Sequence, residues 1–172
     1  MSADLSGPFL QYSVEKLRQL GGRIEDCLGR LSEEQVWARG GDNENAVGNL
    51  VLHLCGNLGQ WIGAGVGGRP DHRERDAEFN ARHGVSIIEL KQRLRAAVDN
   101  AAEIIGGLSA DDLTRRLRIQ KYDVTVLEAV YHVTAHFSEH AGQILFATKL
   151  MTGQDLGYYG HLKAGAHAEK TP

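Results

Sequence analysis

Apolar residues recur at helical spacing in four long stretches, and the polar residues between them carry helix start and stop signals. From Phe9 to Leu31 the apolar positions are Leu10, Val14, Leu17, Ile24, Leu28 and Leu31. Gly21 and Gly22 interrupt that stripe at about 1 kcal/mol each relative to alanine, so a kink or a close helix contact is expected there. Ser32, followed by Glu33, Glu34 and Gln35, starts a short helix carrying Val36 and Trp37. The second long helix spans Asn45 to Gly65, with Val47, Leu50, Leu54, Leu58 and Trp61 on its stripe. Gly65 to Gly84 has no periodicity and clusters Arg73, Arg75, Asp76 and Glu78. It reads as a long connection: a solvated loop, a crossover between distant helix ends, or a lid. Ser86 to Gly106 is the third helix, on Ile87, Leu90, Leu94, Val98, Ala101 and Ile105. Ser109, with Asp111 and Asp112, starts a turn of helix, and Leu117 to Tyr122 reads as an extended link. The fourth helix occupies Val124 to Met151, opened by a Thr125/Glu128 capping box and stopped at Gly153.

Four long amphipathic helices, no convincing strand and one long crossover between helices two and three predict an all-α four-helix bundle. At 172 residues the chain fits a single domain over 1–172.

The fourth helix also carries chemistry. His132, His136 and His140 stand at four-residue spacing, close enough for neighbouring imidazoles to share a metal ion. On a wheel centred near Val126 and Ile144, His140 lies about 40° off the buried stripe, His136 about 80° and His132 about 120°. His136 and His140 therefore flank the buried face, with Gln143 beside His136, and His132 is expected to turn toward solvent. On the second helix, His53 shares a small, polar flank with Ala46, Asn49, Asn57, Gln60 and Ala64. That flank suits a cavity wall whose amides steady ligand side chains, and equally a solvated helix edge. His53 and the His136/His140 pair are the histidines placed for a site inside the bundle. No cysteine or serine is placed as a nucleophile, and Glu139 turns outward, so no catalytic residue is assigned.

The net charge of -3 and a pI near 6.2 leave no electrostatic footprint for nucleic acid or an anionic membrane. No apolar run reaches spanning length and no secretory leader is read, so a cytoplasmic protein is expected. Cys27 and Cys55 then read as reduced, buried thiols, although the sequence leaves a disulfide between them open. The 21 glycines, against 3 prolines, come without a low-complexity tract, so disorder is not their explanation. The last ten residues, after Tyr158, Tyr159 and His161, are expected to be mobile.

With NLVLHLCGN and Trp61 behind it, RERDAEF, HFSEHAGQI and DLGYYGHL, the chain resembles the DinB-like superfamily, which includes YfiT-like thiol transferases and metal-dependent hydrolases. The resemblance spans most of the chain. It implies a bundle, often dimeric, that holds zinc or nickel through one histidine of helix two and two of helix four. Matched residue by residue, these are His53, His136 and His140, with His132 outside the triad. Three protein ligands leave coordination positions open, as in catalytic zinc sites. The resemblance further implies a small-molecule substrate and a low-molecular-weight thiol as co-substrate.

Three readings stay open: a metal-dependent thiol transferase or hydrolase, a bundle that binds metal or a small ligand without turnover in a stress response, and three histidines at a bundle edge without metal. Leu52 and Val66, pointing away from the second helix's stripe, add a hint of a homodimer surface. Because histidine titrates near 6.5, metal affinity is expected to fall below about that pH.

Overall fold

The computed structural model describes residues 4–160. Four long helices form the bundle: α1 (Ser6–Arg30), α3 (Val47–Leu58), α5 (Ile87–Gly106) and α7 (Val126–Thr152). α1 and α3 each pack against both α5 and α7, so α1 and α3 stand at opposite corners. Leu17, Ile24, Leu54, Leu94 and Ile144, each drawn from the stripe that the periodicity marks, are fully buried at the centre, and so is Phe137. The capping boxes that start α2 (Glu33–Trp37) and α7 are both formed, at Ser32/Gln35 and Thr125/Glu128. Ser86 caps α5 by accepting from the Glu89 N–H, while the Glu89 side chain pairs with Arg93 instead of closing a box.

α1 runs as one unbroken α-helix through its two glycines. Gly21 is buried where α5 crosses, and a Cβ there would lie 3.3 Å from Val98 Cγ2, so the glycine serves close helix approach rather than a kink. α3 does not continue as α-helix to Gly65. At Gly59 it widens into a π-helical segment, Gly59–Val66, which carries Trp61 and Ile62 into the core.

Three expectations are corrected here. The long connection contains a helix, α4 (Arg75–Asn80), packed against α3. After α6 (Ala110–Thr114), the extended link is an antiparallel hairpin, β1 (Arg116–Ile119) with β2 (Tyr122–Thr125). Its two-residue turn has Gln120 at φ 56, a left-handed conformation usually signalled by glycine or asparagine, and neither residue stands there to mark it. Ile119 closes the hairpin onto the bundle where Gly65 leaves room; a Cβ at Gly65 would stand 2.5 Å from Ile119 Cδ1. Finally, Val66 is buried in the core and Leu52 packs partly against it, so neither marks an outer surface.

Beyond α7, Gly153 adopts φ 67 and the chain turns back along α1. Tyr158 fastens it there, donating to Asp26 Oδ2 at 2.7 Å. His161 and the expected mobile tail lie outside the described residues. Cys27 and Cys55 are both free thiols. Among the described residues no helix is long and apolar enough to cross a membrane.

Candidate metal centre

α3 and α7 face each other where their polar flanks meet, and His53, His136 and His140 converge there. One ring nitrogen from each lies within 4.8 Å of the others. The rings stand nearly edge-on to one another, with centroids 4.4 to 5.0 Å apart. Nε2 of His53 lies 2.9 Å from Nε2 of His136. Two imidazole nitrogens about 2.0–2.1 Å from one zinc ion stand about 2.9–3.4 Å apart at bond angles of about 90–110°, so this pair fits a shared ion.

Hydrogen bonds on the far side of two rings set which nitrogen faces inward. Nδ1 of His53 is 3.0 Å from Glu78 Oε2, and Nδ1 of His140 is 2.7 Å from Gln143 Oε1. An acceptor at Nδ1 puts the proton there and leaves the Nε2 lone pair free for a metal. Arg73 grips Glu78 with two parallel bonds, Nε to Oε1 at 2.8 Å and a terminal nitrogen to Oε2 at 2.9 Å. The same terminal nitrogen lies 3.1 Å from His53 Nδ1, but both atoms are donors when Nδ1 carries its proton. The carboxylate between them is therefore the acceptor for both. Burial raises the Glu78 carboxyl, yet the bonds from Arg73 and His53 outweigh it and hold its pKa below the usual value.

The imidazoles of α7 resist protonation. Burial, then the neighbouring His140 and His53, hold His136 down at about 4. Burial lowers His140 as well, partly countered by its bond to Gln143. Neutral rings with inward lone pairs are the form that binds a divalent ion.

The remaining flank residues divide by task. Asn49 is fully buried and spends its hydrogen bonds away from the histidines; its amide donates to the backbone oxygens of Glu78 and Ala81 at 2.8 and 2.9 Å. It thus anchors α4, helped by Arg39, which donates to Asn49 Oδ1 at 2.6 Å and to the Ala81 oxygen at 3.0 Å. Gln60 accepts from Arg73 at 3.0 Å and steadies it. Asn57 is buried and lines a cleft of about 490 Å³ that opens beside His53 and His136. The flank is therefore buried under α4 and not a solvated edge. Glu139 is exposed, as its wheel position requires, with its carboxylate 3.9 Å from His136 Nδ1.

His132 departs from its expected place. It is half-buried, its ring centroid 4.0 Å from that of Trp61 with the planes tilted by 35°, and it lines the same cleft. The π-helical widening of α3 brings Trp61 across to meet it, an effect no regular wheel contains. Burial lowers its pKa too. It stays outside the group of three donors.

Residues 4–159 match the family described as "Protein of unknown function (DUF1572)". The chain belongs to this DinB-like family. Two solved structures share its fold. A conserved protein from Enterococcus faecalis aligns with a TM-score of 0.70 at 18% identity, over 84% of this chain and 97% of its own. A DinB-like protein (YjoA) from Bacillus subtilis aligns with a TM-score of 0.65 at 14% identity, over 86% of this chain and 96% of its own. At these identities the likeness speaks for the fold alone. No curated protein matches the chain.

In this DinB-like bundle, the parts that sequence reasoning missed, besides His132 and Trp61, come from the connections. Glu78 and Arg73 come from the long link, and Tyr122 and Gln120 from the hairpin that walls the cleft. The length of the link and its charged cluster were the available signal. Neither cysteine is poised as a nucleophile: burial pushes the Cys55 thiol up to about 12 and raises that of Cys27.

Proposed function

We propose that this DinB-like protein binds one divalent ion, zinc or nickel, through Nε2 of His53, His136 and His140, and uses it to activate a small-molecule thiol for transfer to an electrophile. The observation that carries the reading is the convergence of three imidazoles beside a cleft, two with their outer nitrogens already engaged. Three protein ligands leave coordination open, and a bound divalent ion supplies Lewis-acid activation of a thiol or water.

The chain's own groups do the rest. Glu78, gripped by Arg73, fixes the proton and ring plane of His53. Gln143 does the same for His140. Trp61, His132 and the hairpin wall the cleft. Thiol transfer is favoured over hydrolysis because the carboxylate lining the cleft and the one behind His53 are both committed. Glu78 is held by Arg73, and Glu128 accepts from the Thr125 N–H and hydroxyl. A thiol, titrating near 8.5 when free, needs less help from a base than water does.

The reading is tested with zinc- and nickel-loaded protein, a panel of low-molecular-weight thiols and alkylating electrophiles. Metal-dependent S-conjugate formation, abolished by chelation, is the expected result. Tight metal binding without turnover across the panel would favour the alternative, a non-catalytic metal- or ligand-binding bundle.

We further infer a homodimer through the outer face of α7. Tyr131 and Phe146 are 66% and 65% exposed there, flanking the small residues Ala135, Ser138 and Gly142. Tyr131 mirrors Phe146, and Ala135 mirrors Gly142, about the midpoint between Ser138 and Glu139. A two-fold axis at that point brings identical faces together, as an isologous dimer requires.

A further inference from the structure

Among the described residues, one cation lining the cleft beside the histidines has no hydrogen-bond or ion-pair partner. Arg73 is spent on Glu78 and Gln60. Arg75 is different. It is exposed at the cleft wall, and among the described residues nothing hydrogen-bonds or ion-pairs with its guanidinium. Its position is nonetheless fixed: the guanidinium lies 4.9 Å from the centroid of the Phe79 ring, which itself lies 4.7 Å from the His53 ring. Two stacking steps therefore put the Arg75 charge under 10 Å from His53. The one acidic side chain lining the cleft, Glu128, is bonded to the start of α7. Tyr122 and Trp61 add apolar surface.

We propose that Arg75 is the anion-binding arm of this cleft, and that the small molecule taken there carries a carboxylate a few bonds from the group that reacts. The proposal rests on the metal-centre reading above. A guanidinium offers a planar fork that matches a carboxylate with two parallel hydrogen bonds. A phosphate dianion calls for a second free cation, and Arg73 is not free. A ligand of a few carbons spans the distance from Arg75 to the histidines, and the cleft of about 490 Å³ admits it.

The test uses zinc-loaded full-length protein and two probes with the same thiol, 3-mercaptopropionate and 2-mercaptoethanol, titrated by calorimetry. Zinc content is measured first. The expected result is that the carboxylate probe binds about tenfold or more tightly, in line with a charged hydrogen-bond pair. Arg75→Ala should erase that preference with zinc content unchanged. Arg69→Ala, which removes a charge from an exposed position outside the cleft lining, should leave it intact. If the alanine loosens Phe79 and the fold, Arg75→Gln repeats the comparison with a longer side chain. Equal affinity of the two probes for wild-type protein overturns the proposal. So does a preference that survives both Arg75 substitutions, since the carboxylate is then held elsewhere. Wild-type protein that holds no zinc instead overturns the metal centre itself and this inference with it.

Discussion

Glu78 Oε2 lies 3.0 Å from Nδ1 of His53, a contact between the long connection and the second bundle helix. It exists because residue 56 is glycine. A Cβ at Gly56 would overlap Glu78 Oε1 and stand 3.0 Å from Arg73 Nε. The notch lets a carboxylate and its arginine lie flat on α3 and reach the histidine one turn away. A carboxylate behind a histidine ligand fixes its tautomer and raises its basicity.

Replacing Glu78 by glutamine should therefore weaken zinc binding about ten- to a hundredfold while the bundle stays folded. Competition titration against a chelator of known affinity measures this. Unchanged affinity would show that the carboxylate does not tune His53.

Arg73→Ala should act on stability as well. Its side chain is 4% exposed, and removing it leaves the Glu78 charge buried with only His53 as partner. The expected cost is on the order of 3 kcal/mol, read from chemical denaturation. A double variant that also removes Glu78 should recover part of that loss.

Gly56→Ala tests the notch directly. The added methyl must push Glu78 and Arg73 outward, and overpacking of this kind costs roughly 1–3 kcal/mol. Metal affinity should fall along with stability, as in the Glu78 variant. A gain in stability, as expected for alanine in an open helix position, would mean that the two side chains find room elsewhere.

The bundle was legible in the sequence because its signals are local. Caps at Ser32, Ser86, Ser109 and Thr125, and stripes of period 3.6, fix each helix without knowledge of its neighbours. The placement of His53, His136 and His140 on inward flanks follows from the same arithmetic. What stayed hidden depends on non-local or irregular backbone. A wheel assumes a regular helix, so it could not carry Trp61 over the π-helical segment to His132. Glu78 sits in a stretch without periodicity, and its burial depends on Asn49 and Arg39 holding α4 from a distance. The hairpin turn at Gln120 lacks the residues that advertise a left-handed conformation.

The acid response separates the structure's site from one made of ordinary histidines. His136 has a folded-state pKa of about 4, and those of His140 and His132 are also lowered. Unfolded histidines titrate near 6.5, so between about 6.5 and 4 the unfolded chain binds more protons. Metal-free stability is therefore full above about pH 6.5 and falls as pH drops toward 4. Protons also compete with metal at His136 only near the bottom of that window. With His136 and His140 both lowered, the midpoint of the zinc-induced rise in melting temperature should lie below the 6.5 that free histidine suggests. Thermal melts with and without zinc across this range check it, and a midpoint at 6.5 or above would mean that these rings titrate as if solvated.

For the dimer, Phe146→Glu places a charge on the outer face of α7 without touching the core. Sedimentation should show a dimer for wild-type protein at micromolar concentration and a monomer for the variant. A monomeric wild type would remove the α7 interface.

The metal content of protein purified without a histidine tag tests the central claim most directly. One divalent ion per chain is the predicted result, lost in each of His53→Ala, His136→Ala and His140→Ala and retained in His132→Ala. Stoichiometric metal remaining in the His136→Ala protein would contradict the three-histidine centre.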